Sequence, residues 1–152
     1  MLVMNSKMNE MYRALHFCGK SLSEDLARFA KSEFIEKENC LFLRDCLNVN
    51  TNVKLGDFPD RTGYECFINS INIDDFVSSD FLEYGVLLAR AVLGSFKNKY
   101  KSGSLNCIMA MGKYGLKVKF HIVRPGEQWL SGDLNSFDES IMIIDSDETD
   151  WI

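Results

Sequence analysis

From residue 105 onward, apolar and polar positions alternate with a period of two. Leu105, Cys107, Met109 and Met111 fall on one side. After Gly112-Lys113-Tyr114-Gly115 come Leu116, Val118, Phe120 and Ile122, with Lys117, Lys119 and His121 opposite them. Side chains of a strand point alternately to two faces, so this spacing predicts two half-buried strands joined about a glycine-containing turn. The apolar run at residues 141–144 predicts another strand after a polar excursion, and short helical or extended pieces fit residues 128–137.

Upstream the period lengthens. Residues 80–100 predict the longest helix, apolar on most sides at Val86-Leu87-Leu88-Ala89 and Ala91-Val92-Leu93 and therefore buried. Asp80 and Glu83 have capping-box spacing at its start. Lys97, Lys99 and Lys101 suit the negative end of its dipole, and Gly103 can terminate it. Leu22, Leu26, Phe29 and Ala30 predict a second helix behind Ser21 and Ser23, and residues 10–17 an earlier one. Residues 48–63 read as a surface connection. Residues 64–73, rich in aromatic and β-branched side chains, read as a strand. Helices, a strand, a long helix and then consecutive strands predict an α+β domain. Its antiparallel sheet has about four strands, with helices packed on one face, N-terminal helices and one long buried central helix.

Composition agrees with one globular domain: 152 residues, 46% hydrophobic, 26% charged. The five cysteines, Cys18, Cys40, Cys46, Cys66 and Cys107, are an odd number without CxxC spacing, unlike a secreted disulfide framework. The first ten residues lack a signal-peptide pattern, and the apolar stretch around residues 86–93 is far too short for a bilayer. A cytoplasmic protein is expected.

The net charge of −5 hides an asymmetry. Residues 1–126 carry 17 basic against 14 acidic residues, whereas residues 127–152 carry eight acids and no base. Such a one-sided block speaks to partners more than to fold. Direct nucleic-acid binding is disfavoured, because phosphate needs a basic surface. The lysines at 97–119 and Arg124 read as helix-end and hairpin-face solvation.

Constellations for catalysis are sparse. Two histidines, His16 and His121, leave little scope for a Cys–His nucleophile, and phosphate loops, nucleophile elbows and zinc spacings are missing from the sequence. Asp145, Asp147 and Asp150 start like a calcium loop, but the sixth position is Asp150 instead of glycine. No catalytic, cofactor or metal site is assigned. The candidate partner-binding residues are Glu127, Trp129, Asp133, Asp138, Glu139, Asp145, Asp147, Glu148, Asp150 and Trp151, since aromatic anchors amid carboxylates are the material of interfaces.

The closing segment runs from Val118 through Arg124-Pro125-Gly126-Glu127-Gln128-Trp129-Leu130 and Asp133-Leu134 to residues 141–145. It resembles the immunity proteins of bacterial contact-dependent growth inhibition and polymorphic toxin systems. The resemblance implies a monomer or weak dimer that binds the C-terminal toxin domain of its own system. Many such toxins are nucleases with basic clefts, which an acidic surface would occlude after a steered encounter. The alternative from another class is a small enzyme or ligand-binding domain with a pocket between the long helix and the sheet. A third is an accessory protein acting by oligomerisation.

Overall fold

The computed structural model describes residues 1–50, 52–130 and 132–151. Its centre is the hairpin that the alternation predicts. Strands β5 (Leu105–Gly112) and β6 (Gly115–Ile122) pair antiparallel along their whole length, with Gly112 opposite Gly115. Strand β7 (Ser140–Asp145) pairs with β5. The short strands β1 (Leu2–Met4) and β4 (Ser70–Asn72) pair with β7 and β6. The order β1-β7-β5-β6-β4 is antiparallel throughout, and a separate two-stranded sheet lies outside it. The main sheet thus has five strands instead of about four. The two edge strands are three residues each, too short to show alternation.

Helix α5 (Phe81–Lys99) crosses one face of this sheet. Val86, Leu88, Val92 and Phe96 are buried against Leu105, Cys107, Met109, Leu116, Val118 and Phe120. Each such side chain contributes about 1.5–3 kcal/mol by leaving water. Helix α2 (Glu24–Lys31) packs on α5 and is capped by Ser23, whose Oγ accepts from Leu26 N at 3.3 Å. The capping box expected at Asp80 does not form. Asp80 takes a left-handed backbone (φ 55°) with no side-chain cap bond, and its carboxylate lies 3.6 Å from Lys20 Nζ. Helix α1 (Ser6–Arg13) begins four residues before the expected start, because Asn5 caps it by accepting from Met8 N. Asn5 is buried, and it also accepts from Ile141 N, fastening α1 to β7.

Close approach of α5 to the sheet depends on Gly85. A Cβ there would lie 2.2 Å from Leu116 Cδ2 and 3.5 Å from Met109 Sδ, both in the fully buried layer. Gly85→Ala should therefore destabilise the fold by about 1–2 kcal/mol, since overpacking outweighs the gain in helix propensity. A lower midpoint in urea with an unchanged slope is the expected signature.

Two predicted assignments are corrected. Residues 64–73 form helix α4 (Arg61–Ile68) followed by β4, and not one strand. Asp60 caps α4, accepting from Gly63 N at 2.7 Å, which offsets the β-rich composition. The first half is not purely helical either. Strands β2 (Phe34–Lys37) and β3 (Cys40–Leu43) form a hairpin, followed by the short helix α3 (Arg44–Val49). The turn at Glu38 and Asn39 is left-handed at both residues, with φ of 56° and 60°, the type I′ arrangement that matches strand twist.

Glu65 of α4 and the helix's C-cap Asn69 fasten this hairpin to the main sheet. Glu65 Oε2 accepts from Leu41 N at 2.8 Å and Asn69 Oδ1 from Leu43 N at 2.9 Å. Asn69 Nδ2 donates to Leu41 O and Phe120 O. One side chain of α4 and that of its C-cap thus occupy the place of a strand that would otherwise pair with β3.

Candidate functional site

The face of the main sheet turned away from α5 is read off the strand register. One row across it is Ile141, Ala110, Lys117, Asn72; the next is Ile143, Ile108, Lys119, Ser70. Side chains grade from apolar on β7 and β5 to basic on β6. Described residues on either side of position 131, among them Trp129, Leu130 and Phe137, cover this face, and Ile108 and Ile141 on it are buried. They leave a groove of about 890 Å³ between the loop and the strands.

Trp129, Leu130 and Phe137 line the loop side of the groove. Lys119 Nζ sits 5.2 Å from the Trp129 ring centroid and donates to Cys66 O and Ser70 Oγ. Burial lowers the Lys119 pKa from its ordinary value, and the tryptophan face offers the partly desolvated ammonium a cation–π contact. Trp129 itself stays 40% exposed, large enough to serve as an anchor. Asp138 and Glu139 close the groove near the hairpin turn, where Tyr114 stands 85% exposed. Among the described residues neither carboxylate makes an ion pair.

Trp129, Asp138 and Glu139 are the sequence-predicted residues that this groove brings together. The others lie elsewhere. Glu127 is half-buried, and its Oε1 accepts from Thr62 N in the first turn of α4. Asp133 is exposed and caps a short 3-10 turn by accepting from Asn135 N. Asp145, Asp147 and Glu148 gather at the far end of β7, roughly 20 Å along the strand from Glu139. Asp145 accepts from Asp147 N and Glu148 N. Asp147 pairs with Lys97, which holds its carboxyl below the usual range. Asp150 is exposed, whereas Trp151 is only 8% exposed and packs in the core cluster with α5. The eight carboxylates therefore do not share a face, and Trp151 is a core residue.

A family model matches residues 3–152, and its description is the Uncharacterized protein PM0498 family. The chain belongs to this family. As a PM0498-family protein it is similar to the Uncharacterized protein PM0498 of Pasteurella multocida (strain Pm70). The two are 28% identical over 127 residues, 73% of this chain and 77% of the relative. No solved structure matches it.

Sequence reasoning overlooked a second polar centre in this PM0498-family chain. Glu65 on α4 is fully buried, and its Oε1 pairs with Arg124 Nη1 just past the end of β6. Burial pushes the Glu65 carboxyl above its ordinary value, and Arg124 opposes that shift. The available signal was a glutamate inside the apolar run Tyr64-Glu65-Cys66-Phe67-Ile68. His121, expected on a polar face, is 4% exposed, and burial lowers its pKa. The four buried cysteines are neutral thiols; burial pushes Cys40 up to about 11 and Cys46 and Cys66 to about 12. Among the described residues no cluster of His, Cys, Asp or Glu is placed to hold a metal ion, and no helix is long and apolar enough to cross a membrane.

Proposed function

We propose that the chain is an immunity-type binding protein that neutralises a toxin domain by stoichiometric occlusion, with the groove under Trp129 as the contact surface. The carrying observation is the meeting of a half-exposed tryptophan, two carboxylates without ion pairs and an apolar strip on the sheet face opposite α5. An aromatic anchor within a polar rim has the anatomy of an interface hot spot. Asp138 and Glu139 supply the charge for a basic toxin cleft. Lys113 and Lys117 on the other rim would reject partners that present cations there, and so fix orientation. Acidity thus acts locally at the groove, and the Asp145–Asp147–Glu148 group is a structural joint.

The test is to co-express the chain with the product of the adjacent upstream gene, isolate any complex and assay that product's toxic activity. One-to-one inhibition is expected. Trp129→Ala should weaken the complex about thirtyfold or more, the factor that corresponds to a hot spot of 2 kcal/mol. Asp138→Asn with Glu139→Gln should slow association and flatten its salt dependence. A complex that keeps full toxic activity overturns the proposal. Unchanged affinity in Trp129→Ala removes the groove from it.

A further inference from the structure

The sheet face turned away from α5 has two unlike sides, with β5 in the middle of the five strands. Near the β5–β6 turn, Asp138 and Glu139 stand on the β7 side, and Lys113, Lys117 and Lys119 on the β6 side. Neighbouring charges reduce this contrast without removing it. Lys7, whose Nζ donates to Asp138 O, leaves the β7 side at −1, and Asp74 leaves the β6 side at +2. The two sides are two strand spacings apart, about 10 Å. Among the described residues no ion pair joins them.

Farther from the turn the contrast is apolar. The row from β1 to β4 there is Val3, Ile143, Ile108, Lys119, Ser70. At its β1 end Val3 is 43% exposed and Ile143 partly so. At the other end Trp129, itself 40% exposed, lies over Lys119.

A two-fold axis laid along β5 exchanges the β7 side with the β6 side. In a face-to-face pair of copies it sets Asp138 and Glu139 of each against Lys113 and Lys117 of the other. The same axis sets Trp129 of each against Val3 and Ile143 of the other. One operation thus matches both contrasts, as an isologous contact requires. Along the axis β5 presents Ala110 and Gly112, which hold two copies apart least. An axis at right angles to the strands would instead set Lys117 against Lys117. We infer that this face is a self-docking surface, occupied by a second copy of the chain in a two-fold dimer about β5. The groove under Trp129 is also the surface proposed for the toxin, so dimer and toxin complex exclude each other. The dimer itself does not depend on that reading.

Sedimentation equilibrium of the full chain, from about 1 μM to about 1 mM, detects contacts as weak as a millimolar dissociation constant. A monomer–dimer equilibrium is expected. Lys117→Glu and Glu139→Lys, both at exposed positions, should each weaken the dimer at least tenfold, since each sets like charges across the contact. Mixed in equal amounts, the two variants should dimerise as the wild type does, because both cross-pairs of the mixed dimer are then of opposite sign. Trp129 emission should move to the red on dilution, against a constant background from Trp151 in the core. A wild type that stays monomeric at about 1 mM overturns the inference and leaves the face to another protein. Single variants that dimerise like the wild type also overturn it, as does a mixture no tighter than its components or a Trp129 emission unchanged across the dissociation. The toxin proposal is judged separately, by inhibition of the co-expressed toxin.

Discussion

Replacing Arg124 by Met is expected to destabilise the protein by roughly 3–5 kcal/mol, the loss typical of a buried ion pair broken on one side. The physical cause is Glu65, which has no exposure to water and, once its cation is gone, must either stay charged in the core or take up a proton. Removing Arg124 also frees the Asn39 and Ile122 carbonyls, so the hairpin turn and the end of β6 lose a common tie. The double variant Glu65→Gln, Arg124→Met should recover most of that loss. An amide side chain needs no counterion, and its Oε1 can still accept from Leu41 N. Urea midpoints for the wild type, both single variants and the double variant measure the coupling directly. A single variant as stable as the wild type would show that Glu65 is not stranded without Arg124.

Asn69→Ala should cost about 2–4 kcal/mol. The Asn69 side chain is almost wholly buried and makes three hydrogen bonds, accepting from Leu43 N and donating to Leu41 O and Phe120 O. Truncation leaves three backbone groups without partners in the interior, each carrying a desolvation cost of about 1–3 kcal/mol before relaxation. Asn69→Asp should be worse, since it sets a carboxylate against two carbonyl oxygens. Hydrogen exchange separates this local role from global loss. In Asn69→Ala the Leu43 amide should exchange faster than the amides of β5, whose partners on β6 and β7 are untouched.

The strongly periodic elements were legible from the residues. The β5–β6 alternation, the apolar centre of α5 and the Ile-Met-Ile-Ile run of β7 each bury one side against a single core, and periodicity is the imprint of such burial. What escaped was structure fixed by single side chains. Asp60 makes 61–68 a helix despite its aromatic content, and the β2–β3 turn uses Glu38 at a left-handed position usually given to Asn or Gly. The acidic composition of residues 127–152 was plain, but its placement was not. Asp138 and Asp147 belong to opposite ends of one strand, and only the fold separates a groove carboxylate from one paired with Lys97. Glu65 and Arg124 are 59 residues apart, and nothing local couples two such charges.

The neighbouring positions of β1 and β7 have a consequence during biosynthesis. Leu2 pairs with Ile144, and Asn5 bonds to Ile141, so contacts made by the start of the chain are with residues translated roughly 140 codons later. At about 5–20 residues per second, β1 leaves the ribosome on the order of ten seconds before its partner strand β7 exists. Through that interval α2, the β2–β3 hairpin, α4 and α5 can dock among themselves, while one edge of β5 stays unpaired until β7 arrives. With only three residues, β1 is too short to template an extended mispaired edge during the wait.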